Sequence, residues 1–211
     1  LEPAVTPAPS PESQLAVLAK LQRLFAEGDF TATYKYALLI SLADLAVEWG
    51  HDNGEPLKLP HTSIAAKFIE LYWQQTAPYS HARGQDELAV LFQNSGAQAA
   101  VITALVAFRQ QHDGVTLCSA VKLPEYPALL RRVAQTVAAQ PINYLQNLGG
   151  QTDPFLFDRV REAVVLKAGM AYCLRRFQPL VQMLARSHWV EHVKRNRLNQ
   201  PMLGKADALE S

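Results

Sequence analysis

The sequence predicts a mainly α protein, a compact multi-helix domain with at most a small β-ribbon. Three observations lead there. Between most of the Pro and Gly breaks, apolar residues recur at steps of three and four. Only residues 115–121 and the run Val164-Val165-Leu166 have β character. The 211 residues, 49% of them hydrophobic, are enough to build a core without staples, since a chain of this size covers roughly 70% of its unfolded surface.

The elements follow in chain order. Residues 2–13 carry four prolines among Ser and Thr, so 1–12 reads as a flexible leader ahead of a helical domain over 13–205, with 206–211 as a tail or linker. Residues 13–26 form a first helix through Val17, Leu21, Leu24 and Phe25, ended by Gly28. Asp29 can cap a second, whose stripe of Tyr34, Leu38, Leu42, Leu45 and Trp49 is the clearest helical signal. Residues 50–60 read as a loop, 62–73 as a third helix, 86–93 as a short amphipathic piece and 97–111 as a longer helix. A short strand is expected within 115–121. A helix started by Pro124 and Pro127 then buries Leu129, Leu130, Val133 and Val137. Residues 147–154 are a loop, and 164–166 could pair with the first strand. From Ala171 helical spacing returns through Cys173, Phe177, Leu180, Val181 and Leu184, with a kink or restart at Pro179. Ser187 can cap a final helix over 188–198.

No apolar run reaches bilayer length, the longest being 37–42 and 99–108, so no membrane partner is expected. Cys118 and Cys173 have no paired spacing, which points to a reducing, cytoplasmic setting. The chain begins at Leu1, which suggests a piece of something longer.

The formal net charge of +1 hides two opposite parts. Residues 159–205 hold ten Lys or Arg against two acids, a net +8, which leaves ten against seventeen elsewhere, a net −7. Such a density is the electrostatic footprint of a phosphate-binding surface. The nucleic-acid-binding candidates are Arg175, Arg176, Arg186, His188, His192, Lys194, Arg195 and Arg197. Helical spacing would place His188, His192, Arg195 and Asn199 on one face. The plainer alternative is a solvated cationic side that pairs with the acidic half.

No complete catalytic constellation is present, and no catalytic, metal or cofactor-binding residue is assigned. The segment His188-Trp189-Val190-Glu191-His192 matches the H-x-x-E-H pattern, in which two histidines hold zinc and the Glu acts as base. A third protein ligand is needed, and the nineteen residues after His192 offer only Asp207 and Glu210. Asn147-Leu148-Gly149-Gly150 lacks the Lys and Ser/Thr of a phosphate loop, so its glycines serve a turn. Cys173 sits in an apolar stripe as an inert thiol. Asp44 and Glu48 share a helix face and could pair as acid and base, but a solvated acidic stripe is the better explanation of them.

Four blocks carry a family resemblance: 25–48 (FAEGDFTATYKYALLISLADLAVE), 66–79 (AKFIELYWQQTAPY), 142–158 (INYLQNLGGQTDPFLFD) and 171–201 (AYCLRRFQPLVQMLARSHWVEHVKRNRLNQP). Over these residues the chain resembles the helical region that precedes the nuclease module in bacterial HNH endonuclease family proteins. The resemblance implies a linked ββα-metal module, in which a histidine activates water and a divalent metal stabilises the phosphate charge. That module is absent here, since residues 205–211 contain no Asp-His pair and no following Asn and His. The resulting expectation is a non-catalytic region that positions nucleic acid, DNA before RNA, for a nuclease in cis, in a phage-defence or mobile-element setting. The rival expectation is a protein-interaction, sensor or homodimerisation module. A zinc peptidase through His188 and His192 stands third.

Overall fold

The computed structural model describes residues 6–27, 31–78 and 90–203. In chain order these form α1 (Pro11–Glu27), α2 (Tyr34–Trp49), β1 (Leu57–Pro60), α3 (His61–Trp73), a 3-10 turn (Gln74–Thr76), α4 (Ala100–Gln111), α5 (Leu117–Ala120), α6 (Tyr126–Ala139) and α7 (Pro141–Tyr144). There follow β2 (Asn147–Leu148), β3 (Gln151–Thr152), β4 (Phe157–Val160), β5 (Ala163–Leu166), α8 (Met170–Arg176), α9 (Gln178–Arg195), a second 3-10 turn (Arg197–Asn199) and α10 (Gln200–Leu203). The fold is mainly α with two small antiparallel sheets, ordered β1-β5-β4 and β2-β3.

α2 is the centre. Its apolar residues occupy every side, and a helix of that kind must be enclosed. From Tyr34 to Ala46 every residue except Asp44 is buried, and α9, α8, α3 and α7 pack around it. Its few polar groups are matched inside the core. Ser41 Oγ donates to the Ala37 carbonyl at 2.7 Å, and the Thr33 and Tyr72 hydroxyls lie 2.6 Å apart. Gly50 ends the helix because nothing larger fits. A Cβ there would stand 2.4 Å from the Ala46 oxygen and 2.9 Å from Arg175 Cδ. Against α2, α3 brings Ile64, Phe68 and Tyr72, and its other flank meets α6 and α4 through Val133, Val137, Leu105 and Phe108.

The structure corrects several sequence expectations. The helix expected from Ser13 starts at Pro11, inside the stretch read as leader, because Ser10 caps it: Ser10 Oγ accepts from Ser13 N at 3.2 Å and proline suits the first turn. Thr6, also in that leader, accepts a hydrogen bond from Gly54 N at 3.0 Å. The strand expected in 115–121 is instead α5. Thr116 and Ser119 form a reciprocal capping box there, which overrides the β propensity of the flanking valines. Residues 164–166 do form a strand, but they pair with β1 and β4. β1 lies in a stretch read as loop, its alternation too short to register. The loop expected at 147–154 contains the β2–β3 hairpin, whose two-residue turn has positive φ at both Gly149 (55°) and Gly150 (82°), the primed geometry favoured in hairpins. Ser187 caps nothing: it is exposed in the middle of α9, which starts at Gln178 with Pro179 in its first turn. Asp29 and the first half of the piece expected at 86–93 lie outside the described residues.

Gln146 clasps the start of β4. Its Oε1 accepts from Leu156 N at 2.8 Å and Phe157 N at 3.1 Å, and its Nε2 donates to the Phe157 carbonyl at 3.1 Å. Gln146→Leu strands two buried N–H groups and should cost about 2–4 kcal/mol. Urea denaturation checks this, and an unchanged midpoint would refute the clasp.

Candidate nucleic-acid interface

The predicted cations belong to α8, α9 and the turn that follows. α8 ends at Phe177, whose φ of −101° and ψ of 9° leave the helical region. Pro179 then begins α9 in the first turn, where its missing N–H costs no helical hydrogen bond. At 18 residues α9 is about 27 Å long. Its inner stripe is Val181, Ala185 and Trp189. Trp189 packs 4.9 Å from the Tyr72 ring and donates its indole N–H to Gln93 Oε1 at 2.8 Å, which makes it a core anchor. Gln178 and Gln182 each donate to Asp44 Oδ1 at 2.8 Å. Asp44 is therefore a structural acceptor rather than half of an acid-base pair. Glu48, its proposed mate, is held by Lys67 at 2.7 Å.

The eight candidate residues do not converge on one pocket. Arg175 is built into the fold, donating to the Gly50 carbonyl at 3.0 Å and pairing with Asp52 at 3.0 Å. Arg176 beside it is exposed, and both border a cleft of about 230 Å³. Arg186 donates Nε–H to Gln182 Oε1 at 2.8 Å and lines an apolar groove together with Lys194. Arg195 lies on the opposite edge of the helix, 82% exposed, with its guanidinium 3.6 Å from Glu191. Arg197 is exposed in the 3-10 turn, with no ion-pair partner among the described residues. Asn199, expected beside Arg195, is fully buried because α9 has already ended. Its amide donates to the Phe92 and Val193 carbonyls at 2.9 Å, and its Oδ1 accepts from Phe92 N at 2.7 Å.

The two histidines lean on aromatic rings, His188 exposed and His192 half-buried. The His188 ring stacks 5.1 Å from Phe25 and 6.2 Å from Tyr36, at 16° and 15°. His192 meets Tyr36 edge-on at 6.2 Å, and its Nε2 is buried without a hydrogen-bond partner. Burial holds the His192 imidazole below the ordinary histidine range, which favours the neutral ring. With Glu191 and Arg195 they border a cleft of about 270 Å³. Among the described residues no group of three or more His, Cys, Asp or Glu side chains is placed to hold a metal ion. Glu191 is flanked by Lys194 and Arg195, cations that compete for its carboxylate and repel a dication. The described residues around His188 and His192 thus supply no third ligand for an H-x-x-E-H zinc site, and Asp207 and Glu210 lie outside the described residues. Cys173 is buried, and burial pushes its thiol up, as an inert role requires.

Sequence reasoning overlooked two features. A cleft of about 470 Å³ lies apart from the candidate cations, between Tyr34 and Lys35 of α2, Tyr144 and the Gly149-Gly150 turn. The groove beside Arg186 was announced only by Met183 and Val190, seven residues apart on the polar side of α9.

The family described as Domain of unknown function (DUF8808) matches the chain over residues 14–210. No curated protein and no solved structure matches the chain.

The state of His192 has a pH signature. Its folded form binds a proton less readily than the unfolded chain, so stability is complete above about pH 6.5 and is lost as pH falls below it. His61, also depressed by burial, acts in the same direction. His192→Gln should shrink, without abolishing, the fall in stability between about pH 7 and pH 5. Denaturation midpoints across that range test it, and identical slopes for variant and parent would refute it.

Proposed function

We propose that this chain, which belongs to the DUF8808 family, is a nucleic-acid-positioning region that grips phosphates through the outer half of α9 and its two ends. The carrying observation is an excess of exposed cations. Arg176, Arg186, Lys194, Arg195 and Arg197 are all exposed, and the single acid on α9, Glu191, lies between Lys194 and Arg195. A surface of this kind attracts a polyanion by releasing its condensed counterions.

The arrangement suits a duplex. Arg186 and Arg195 are nine residues apart on the helix, which puts them on opposite edges, roughly 180° around its axis. Cations on two edges can reach phosphates on both sides of one groove, and a length of about 27 Å covers about eight base-pair steps. Arg175 and His192 support the surface rather than touch phosphate, because each is already engaged with the fold, whereas His188 stacks on Phe25 and stays exposed beside Arg195. Contacts to phosphate carry no sequence information, so this is a positioning device and not a reader of bases.

Cutting is assigned to an HNH module in cis, on the strength of the resemblance in the four sequence blocks. In that assembly the divalent metal belongs to the nuclease, and this region supplies orientation and local concentration of the duplex.

Alanine at Arg195 and Arg197 removes two phosphate contacts. In a filter-binding titration with a duplex of about 20 base pairs, affinity should fall and the slope of log K against log salt should shrink by about 1.8. An unchanged affinity and slope would remove this surface from consideration. A single-stranded RNA of equal length, run in parallel, tells which polymer is preferred.

A further inference from the structure

We infer that the groove on the other edge of α9 is a docking site for an acidic amphipathic helix of a partner protein. The site is independent of the phosphate-binding reading, although the two share cations. The groove runs beside α9 with a volume of about 390 Å³. Its floor is apolar, made by Leu71 of α3, Leu91, and Trp189 and Val193 of α9. Val190 stands on its rim 51% exposed, and Met183, one to two turns earlier on the same outer side, is 58% exposed. Among the described residues nothing covers this strip.

Charge selects the occupant. Among the described residues, the two charged side chains that line the groove are Arg186 and Lys194, and no acid lines it. Glu191 reaches Lys194 only at 4.0 Å, with both side chains more than half exposed, so it offsets little of that charge. The two cations are eight residues apart on α9, about 12 Å along its axis. A helix laid into the groove presents apolar residues at i, i+3/4 and i+7 to the floor. Acids seven or eight residues apart on its flank then meet Arg186 and Lys194 together. The Arg186 fork keeps its terminal N–H groups for a carboxylate while Nε holds Gln182. A second copy of this chain fits less well, because the same strip would bring its own cations against these.

The test uses the full chain and a fluorescein-labelled peptide of about 18 residues, long enough to be helical, with a leucine stripe and glutamates at the seven-residue spacing. A second peptide carries lysine in place of each glutamate. Anisotropy should show the acidic peptide binding at least tenfold more tightly than the basic one. Val190→Glu, an exposed position whose melting temperature should not change, should weaken that binding at least tenfold. The double variant Arg186→Glu, Lys194→Glu should invert the preference, and Arg195→Ala with Arg197→Ala should leave it intact. Equal binding of the two peptides, no binding, or an equal loss in the Arg195/Arg197 variant would overturn the proposal, whatever the duplex titration shows. A dimer in sedimentation that Val190→Glu returns to monomer would overturn it too, by assigning the groove to a second copy.

Discussion

Enclosure of α2 is the constraint on which the rest of this structure depends. Leu38, Leu39, Ile40 and Leu42 are consecutive or nearly so, point in different directions and are all fully buried. Each such side chain contributes roughly 1.5–3 kcal/mol when removed from water, and only neighbours on every side can provide that. The chain therefore wraps α2 with the next helix, α3, and with elements distant in sequence, α7 and, from the last quarter, α8 and α9. Enclosure leaves α2 little surface of its own beyond Tyr34 and Lys35 at its start, which border a cleft. Most of what remains available for function is the outside of its wrappers.

Among those wrappers α9 is set by a polar clasp. Gln178 and Gln182, one turn apart, both donate to Asp44, the half-buried exception on α2. Those bonds fix the rotation of α9 about its axis more sharply than apolar contact could, because hydrogen bonds to a carboxylate demand geometry. The break at Phe177 allows that rotation to differ from the one α8 would impose. Its consequences are visible residue by residue. Val181, Ala185 and Trp189 turn inward, while Leu180, Met183 and Val190 turn outward despite being apolar. The same setting places Arg186 and Lys194 on one edge and Arg195 on the other.

Local signals in the sequence carry the helices well and the contacts poorly. α2, α3 and α6 follow from three-and-four spacing, and the restart at Pro179 follows from proline's missing N–H. α5 is misread because valines at both ends outweigh a Thr116–Ser119 box that only the structure makes plain. Ser187 is misread because a capping residue type was taken for a cap without a preceding break. For the site, the cationic excess is legible as a sum of charges, but its partition is not. Arg175 is claimed by Gly50 and Asp52, His188 by Phe25 and Tyr36, and Asn199 by Phe92, all partners more than 100 residues away. Long-range pairing of this kind leaves no periodic trace in a single sequence.

Phosphate and an acidic helix would both be drawn to Arg186 and Lys194, so charge alone does not separate them. The groove floor does. A phosphate backbone gains nothing from Leu71, Leu91, Trp189 and Val193, whereas an apolar helix face gains the free energy of burial there, roughly 25 cal/mol for each Å² removed from water. On the opposite edge, His188 and His192 rest on Phe25 and Tyr36, and among the described residues no comparable apolar floor lies under Arg195. The two edges of one helix therefore differ in what lies beneath their cations. An acidic helix seated on the first edge would neutralise two of the five exposed cations counted toward phosphate. Occupancy of the groove would thus weaken nucleic-acid binding by mass action, without any change in the fold.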